Sequence, residues 1–161
     1  MQTLSTEWLR NVALLSHGGA GKSSLAEAIL FTTGAITRTG RIEDGNTTSD
    51  YEPEEIKRGS STQIALIPCF PKDHKINFID TPGYADFLGE VVAALRVSDS
   101  GVVIVAAPSG IEVGTEQVWE LLDKQSAPRI VFVNKMDREN ADFMGTVEAL
   151  QVRFGRACVA T

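Results

Sequence analysis

Short apolar runs and longer runs of helical period alternate along this chain, and that alternation restricts the fold more than any other feature. Residues 11–16 form a brief apolar run that stops at glycines, as a buried strand does. Residues 22–33 follow at helical period, with Leu25, Ala28, Ile29 and Thr32 on one stripe and Gly34 as the stop. Residues 63–70 and 75–80 read as two strands joined by a polar turn. Residues 86–97 read as a helix, with Phe87, Val91 and Leu95 spaced by four. Residues 101–107 are continuous and rich in β-branched side chains, as a central strand of a parallel sheet is. A helix over 115–125, a strand over 129–133 and a helix carrying Phe143, Val147, Leu150 and Phe154, closed by Gly155, complete the series. The expected fold is α/β: an open, mostly parallel sheet with helices on both faces. Residues 36–61 fit no pattern. They are polar, rich in Gly, Thr and Asp, and long for a loop, which marks a functional or mobile segment.

Bulk properties narrow the function classes. The 161 residues suit one domain with one core. With 43% apolar and 22% charged residues, the composition is that of a soluble globular protein. The longest apolar stretch, residues 102–108, is far too short to span a bilayer, and the opening MQTLSTEWLR has no secretory pattern. Cys69 and Cys158 form no disulfide framework and no metal-ligand spacing, so a reducing cytoplasm and no membrane are expected. A formal charge of -6 opposes nucleic-acid binding by the whole surface and offers nothing for sequence-specific DNA, while leaving room for a local basic contact.

Three motifs carry chemistry. The first is SHGGAGKSS, residues 16–24, between the first strand and the first helix. After His17, the small residues Gly18, Gly19, Ala20 and Gly21 would let the backbone wrap phosphate oxygens with N–H groups, and the helix N-terminus through Ser24 adds partial positive charge. Lys22 would reach the β- and γ-phosphates, and the Ser23 hydroxyl would ligate Mg²⁺. An ordinary glycine-rich turn is the competing reading. The second motif is DTPG, residues 80–83. Asp80 ends a strand, where open α/β sheets bind ligands; it would hold Mg²⁺ through water, and the Gly83 N–H would touch a γ-phosphate. The third is NKMD, residues 134–137. Asn134 and Lys135 would brace the site. A buried Asp137 carboxylate would accept the N1 and exocyclic N–H groups of guanine, which adenine lacks, so GTP and GDP would be bound and ATP rejected. A solvated turn is the competing reading for NKMD alone.

Motif order and wording resemble the translational GTPases, in particular elongation factor G and the elongation factor G-like proteins. Residues 31–59 are similar to their first switch region, DTPGYADF to their DTPGHxDF, and PRIVFVNKMDRENADF to the stretch around their base-specificity motif. The resemblance covers about residues 8–156 and implies a P-loop NTPase fold, GTP hydrolysis, Mg²⁺ and the ribosome as partner, the last through the switch regions and through further domains. In the family a catalytic histidine follows DTPG; here Tyr84 stands there, beside the other groups of the implied catalytic set, Gly83 and Lys22. The switch threonine that ligates Mg²⁺ in the family falls at Ser61, with Thr62 beside it. Ser16 stands where the phosphate loop usually opens with glycine, and Gly19 where these factors have aspartate. The family's serine-alanine base contact after a later strand has no counterpart, since Ser126-Ala127 precedes NKMD. By the resemblance, residues 1–161 would be an incomplete GTP-binding domain of a longer multidomain protein, truncated before the last strand and helix.

Three function classes follow: a ribosome-dependent GTPase, a GTP-dependent binding switch with little hydrolysis because Tyr84 replaces the histidine, and an ATP-using phosphotransferase. Tyr84 itself has two readings, a group that orients water or one that packs near Phe87.

Overall fold

The computed structural model describes residues 5–161; residues 1–4, part of the opening stretch read above for a secretory pattern, lie outside the described residues. Its framework is a five-stranded sheet. The strands are β1 (Leu9–Ser16), β2 (Ala65–Cys69), β3 (Lys75–Asp80), β4 (Ser100–Ala106) and β5 (Arg129–Asn134). They lie in the order β2-β3-β1-β4-β5, with β2 alone antiparallel. The helices are α1 (Lys22–Thr32), α2 (Pro53–Arg58), α3 (Leu88–Leu95), α4 (Val113–Lys124) and α5 (Phe143–Phe154). No helix among the described residues is long and apolar enough to cross a membrane.

The pleat divides the core in two. Ala13, Leu15, Val103 and Val105 point to one face and pack with Val91 and Leu95 of α3, Val118 and Leu122 of α4, and Leu150 of α5. Leu14, Val102, Ile104 and Ala106 point to the other face and meet Ala26 and Leu30 of α1. Gly101 lets α4 come close: a Cβ there would sit 3.0 Å from Leu122 and Leu15 side-chain carbons. Trp119 stacks on Phe154 with ring centroids 4.0 Å apart, fastening α4 to α5. The Arg129 guanidinium lies over Trp119 and pairs with Asp123 at 2.8 Å.

Three local expectations are corrected. The buried face of α1 is Ser23, Ala26, Glu27 and Leu30, while Ala28 and Thr32 are exposed. The stripe is rotated because the helix faces Asp80 and the loop 36–61 as well as the sheet. The helix expected from residue 86 begins with a 3₁₀ turn, Ala85–Phe87, and becomes α-helical at Leu88. The patternless segment contains a helix, α2. Glu52 caps it through a capping box with Glu55, Pro53 occupies its first turn, and Gly59 ends it at φ 64°.

Candidate functional site

The three motifs meet at the C-terminal ends of β1, β3 and β5. This is the edge at which open α/β sheets take ligands. The loop from β1 to α1 turns through Gly19 at φ 80° and Gly21 at φ 100°, conformations that side chains rarely adopt. A Cβ on Gly21 would also overlap the side-chain nitrogen of Asn134. That nitrogen donates to the Ala20 carbonyl at 2.9 Å, so the end of β5 braces the loop. Gly21 gives α1 no capping side chain, which leaves the first helical N–H groups to an outside acceptor. Ala20 is buried, His17 half-buried with Nε2 3.6 Å from a Glu112 oxygen, and Ser24 exposed at the cleft rim.

Lys22 and Asp80 are both buried. The Lys22 ammonium donates to Ser16 Oγ at 2.7 Å, and that hydroxyl donates to the His17 carbonyl at 2.6 Å. Burial pushes the Lys22 pKa down, against the charges of Asp80 and Asp50, which favour the ammonium. Burial pushes the Asp80 carboxyl up to about 6; Lys22 draws it back, the Asp50 charge adds to the rise, and the nearby hydroxyls of Ser49 and Ser23 oppose it. The Ser23 hydroxyl is 3.4 Å from Asp80 Oδ2, while Oδ1, like Ser49 Oγ, has no hydrogen-bond partner within 3.5 Å among the described residues. A buried carboxylate oxygen left without a partner, with a serine hydroxyl 3.4 Å from its other oxygen, fits a hard divalent cation that keeps several of its waters. No cluster of three or more His, Cys, Asp or Glu that could hold a metal ion is present among the described residues.

Around these groups lies a cleft of about 250 Å³. The phosphate loop, Gly83, Tyr84, Lys135, Arg138, Asp50 and residues 59–61 line it. Gly83 has no room for a side chain: a Cβ would stand 2.6 Å from the Lys22 ammonium and 2.9 Å from the N and Cα of Gly18. Tyr84 lays its ring on Gly18, where a Cβ would meet ring carbons at 3.0 Å, and stays 48% exposed. Its packing partner is therefore the phosphate loop. Phe87 instead carries the Arg58 guanidinium, 5.6 Å from its ring centroid. The far side of Tyr84 walls a second groove of about 260 Å³ with His17, Val113 and Gln117.

Two expectations need adjustment. Asp137, expected as a buried acceptor, has a side chain 78% exposed and lies 3.6 Å from Arg138. It sits in the turn beyond β5, closed by the Arg138 N–H on the Lys135 carbonyl, where the sheet does not cover it. Lys135 takes up the left-handed conformation there, at φ 59°. Of the two candidate switch ligands, Ser61 lines the cleft but donates its hydroxyl to Asp50 at 2.6 Å. Thr62 is turned to Glu55, which accepts its N–H at 2.8 Å.

Sequence reasoning missed three buried carboxylates. Glu27 accepts the N–H groups of Gly40 at 2.6 Å and Thr48 at 2.5 Å. Asp50 accepts the hydroxyls of Ser61 and Thr47, and Glu55 accepts the N–H groups of Thr62 and Gln63. Only Glu55 had a legible signal, the Glu-Pro-Glu-Glu start of α2.

Known proteins bear on this geometry. Elongation factor G 2 of Borreliella afzelii (strain PKo) is 43% identical over 146 residues, 91% of this chain and 22% of that protein. Elongation factor G of Thermotoga maritima is 46% identical over 142 residues, 88% of this chain and 20% of that protein. A crystal structure from Thermus thermophilus matches with a TM-score of 0.88 at 40% identity, covering 91% of this chain and 22% of that one. The chain thus spans 20–22% of the length of these relatives. Residues 7–160 match the family described as the elongation factor Tu GTP binding domain, and with its phosphate loop, DTPG turn and NKMD turn on one sheet edge the chain belongs to that family and has its P-loop α/β fold.

Proposed function

We propose that this chain binds GTP and hydrolyses it to GDP and phosphate, as the nucleotide-binding part of an elongation factor G-like protein that acts on the ribosome in the cytoplasm. The observation that carries the reading is the buried meeting of Lys22, Ser23 and Asp80 under the phosphate loop, with one Asp80 oxygen left without a partner. Phosphoryl transfer asks little covalent chemistry of a protein; it asks for positioning and for charges placed against the phosphates. Loop N–H groups and the Lys22 ammonium bind the β- and γ-phosphates, the Gly83 N–H donates to the γ-phosphate, and Asp137 selects guanine. The Ser23 hydroxyl, Asp80 through water and a switch hydroxyl from Ser61 would hold Mg²⁺, which would supply charge neutralisation.

A second reading is favoured by one observation. The Tyr84 ring lies on Gly18, and a phenol, unlike an imidazole, does not become a cation to offset developing phosphate charge. It can still orient a water by hydrogen bonding, and orientation is much of what the step requires. Hydrolysis is therefore slower than in a histidine-bearing relative, by roughly tenfold or more, about 1.4 kcal/mol of barrier. In the limit the protein is a GTP-dependent switch with little turnover. Calorimetric titration with GTP and ATP, followed by phosphate release with and without ribosomes, tests both readings. Preference for GTP with ribosome-stimulated release supports the enzyme, and GTP binding without release supports the switch. Tight ATP binding refutes both. Tyr84→Phe deletes only the hydroxyl: a large fall in stimulated turnover assigns the hydroxyl to the water, and unchanged turnover reduces Tyr84 to packing.

A further inference from the structure

The glycines of the phosphate loop are needed for different reasons. Gly19 and Gly21 hold φ of 80° and 100°, where any side chain is strained whatever the space around it. Gly18 lies outside that left-handed region, so its φ does not call for glycine. What stands over it is Tyr84. The three heavy atoms nearest to a Cβ built at Gly18 are the ring carbons Cε1, Cζ and Cε2, at 3.0, 3.0 and 3.2 Å. These are the outer carbons of the phenol, the one that bears the hydroxyl and its two neighbours. Non-bonded carbons ordinarily stand about 3.5–4.0 Å apart, so a methyl group at 18 and the ring in this place exclude each other. The residue before Tyr84 closes on the same spot, since a Cβ on Gly83 would stand 2.9 Å from the N and Cα of Gly18. About half of Tyr84 is exposed, so burial elsewhere does little to fix the ring.

We propose that Gly18 is the positioning residue for Tyr84: the missing side chain at 18 makes room for the outer end of a phenol, and that room is what lets a tyrosine at 84 rest on the phosphate loop. The contact is made by the part of the ring that an imidazole lacks. A histidine at 84 is shorter and has no atom where the tyrosine Cζ stands, so it would leave space for a side chain at 18. The glycine is thus demanded by the phenol and not by the loop, and residues 18 and 84 are matched in size. The match also decides where the hydroxyl lies. With its ring on Gly18, Tyr84 lines the cleft. A ring pushed off Gly18 has open space on its other side, in the groove walled by His17, Val113 and Gln117. The hydroxyl would then leave the place from which it could orient a water. The size match stands on geometry alone, while its consequence for hydrolysis rests on the cleft being a GTP site.

Gly18→Ala tests the match when it is made in three backgrounds: wild type, Tyr84→Ala and Tyr84→His. Thermal unfolding without nucleotide reads the contact itself. Gly18→Ala is expected to lower the melting temperature by several degrees beside Tyr84, through overpacking. In Tyr84→Ala and Tyr84→His it is expected to leave the melting temperature unchanged or raise it, because alanine at an unstrained φ restricts the unfolded chain. Ribosome-stimulated phosphate release reads the position of the hydroxyl. In the tyrosine protein Gly18→Ala is expected to lower kcat roughly tenfold or more, with a smaller change in KM. In Tyr84→His the fall in kcat is expected to be at least about fivefold smaller, since any effect on the loop alone is common to both backgrounds and cancels in the comparison. Gly18→Ala that fails to fold beside Tyr84 but folds in Tyr84→Ala supports the match equally. Equal losses of melting temperature in all three backgrounds, or failure to fold in all three, overturn the inference. So do equal losses of kcat in the tyrosine and histidine proteins. Wild type that binds no guanine nucleotide overturns the proposed function, and the unfolding series still decides the match between Gly18 and Tyr84.

Discussion

Gly83→Ala probes how closely the DTPG turn approaches the phosphate loop. A Cβ built at Gly83 stands 2.9 Å from both N and Cα of Gly18 and 2.6 Å from the Lys22 ammonium. Ordinary non-bonded carbon contacts lie at about 3.5–4.0 Å, so turn and loop must part by roughly 0.6 Å or more. The ammonium can swing aside, but the Gly18 backbone cannot do so without moving the loop. Overpacking of this kind costs about 1–3 kcal/mol of stability. The functional cost falls on the outer phosphates. A displaced Lys22 forfeits a charge-assisted hydrogen bond worth about 1.5–3 kcal/mol, or roughly ten- to a hundredfold in affinity. Calorimetric titration with GTP, GDP and GMP resolves the effect by phosphate number. GTP is expected to lose the most and GMP, which never reaches Lys22, the least, with thermal unfolding measured in parallel. Wild-type GTP affinity in Gly83→Ala would refute the argument, and so would an equal loss for GMP, which would mean that the whole fold had loosened.

Two further changes test other parts of the site. Asp137→Asn turns an acceptor pair into one acceptor and one donor; it is expected to weaken GTP by about 2–3 kcal/mol and to shift preference toward xanthine nucleotides, and unaltered GTP binding would show that the exposed Asp137 does not choose the base. Glu27→Gln leaves a donor facing an N–H group of Gly40 or Thr48 and is expected to cost about 1.5–3 kcal/mol at pH 7, read by chemical unfolding. Burial alone would raise the Glu27 pKa, but the donors from Gly40 and Thr48 outweigh it and hold the carboxyl below its ordinary value. Its contribution is therefore complete above the unfolded-state value and is lost as pH falls through the folded value, so wild type and Glu27→Gln should converge in acid. A stability gap that stays constant down to pH 3 would contradict this.

Much of the fold was legible because the signals are local. A parallel central strand must be apolar on both faces, and residues 101–107 are. The phosphate loop and DTPG were legible because close backbone approach requires glycine at particular places, and Gly21 and Gly83 have the tight surroundings that such a reading needs; NKMD was legible by the side-chain groups it carries at a strand end. The rotated stripe of α1 was not legible. Helical period gives a face, but burial of Ser23 and Glu27 comes from groups distant in sequence. The same holds for the carboxylates: Glu27 meets Gly40 and Thr48, and Asp50 meets Ser61, pairings that no spacing rule announces. α2 was missed for a different reason. At six residues it offers no apolar stripe, and Ile56, its one large apolar residue, is 44% exposed. The exposure of Asp137 was hidden too, because a motif states which atoms pair with a base and not what covers them in its absence.

The three carboxylates explain why the segment from residue 36 to 63 can be both ordered and movable. Its anchors are polar: Glu27 holds Gly40 and Thr48, Asp50 holds Thr47 and Ser61, and Glu55 holds Thr62 and Gln63. A segment anchored by apolar burial would expose about 1.5–3 kcal/mol of side-chain transfer energy for each large residue it pulled out. Hydrogen bonds exchanged for water cost only about 0.5–1.5 kcal/mol net when neutral, and somewhat more when an acceptor is charged. A polar segment can therefore leave its seat for a modest free energy, within what the added contacts of one phosphate group can supply. The low hydrophobicity that made the segment unreadable as secondary structure is thus the property that suits it to switching. Tyr84 and Gly83 lie at the cleft end of β3, against the loop between β1 and α1. Asp50 lines the same cleft from the segment side. On the proposed function, a change in phosphate number would be presented at once to the turn that would orient water and to the segment that would move.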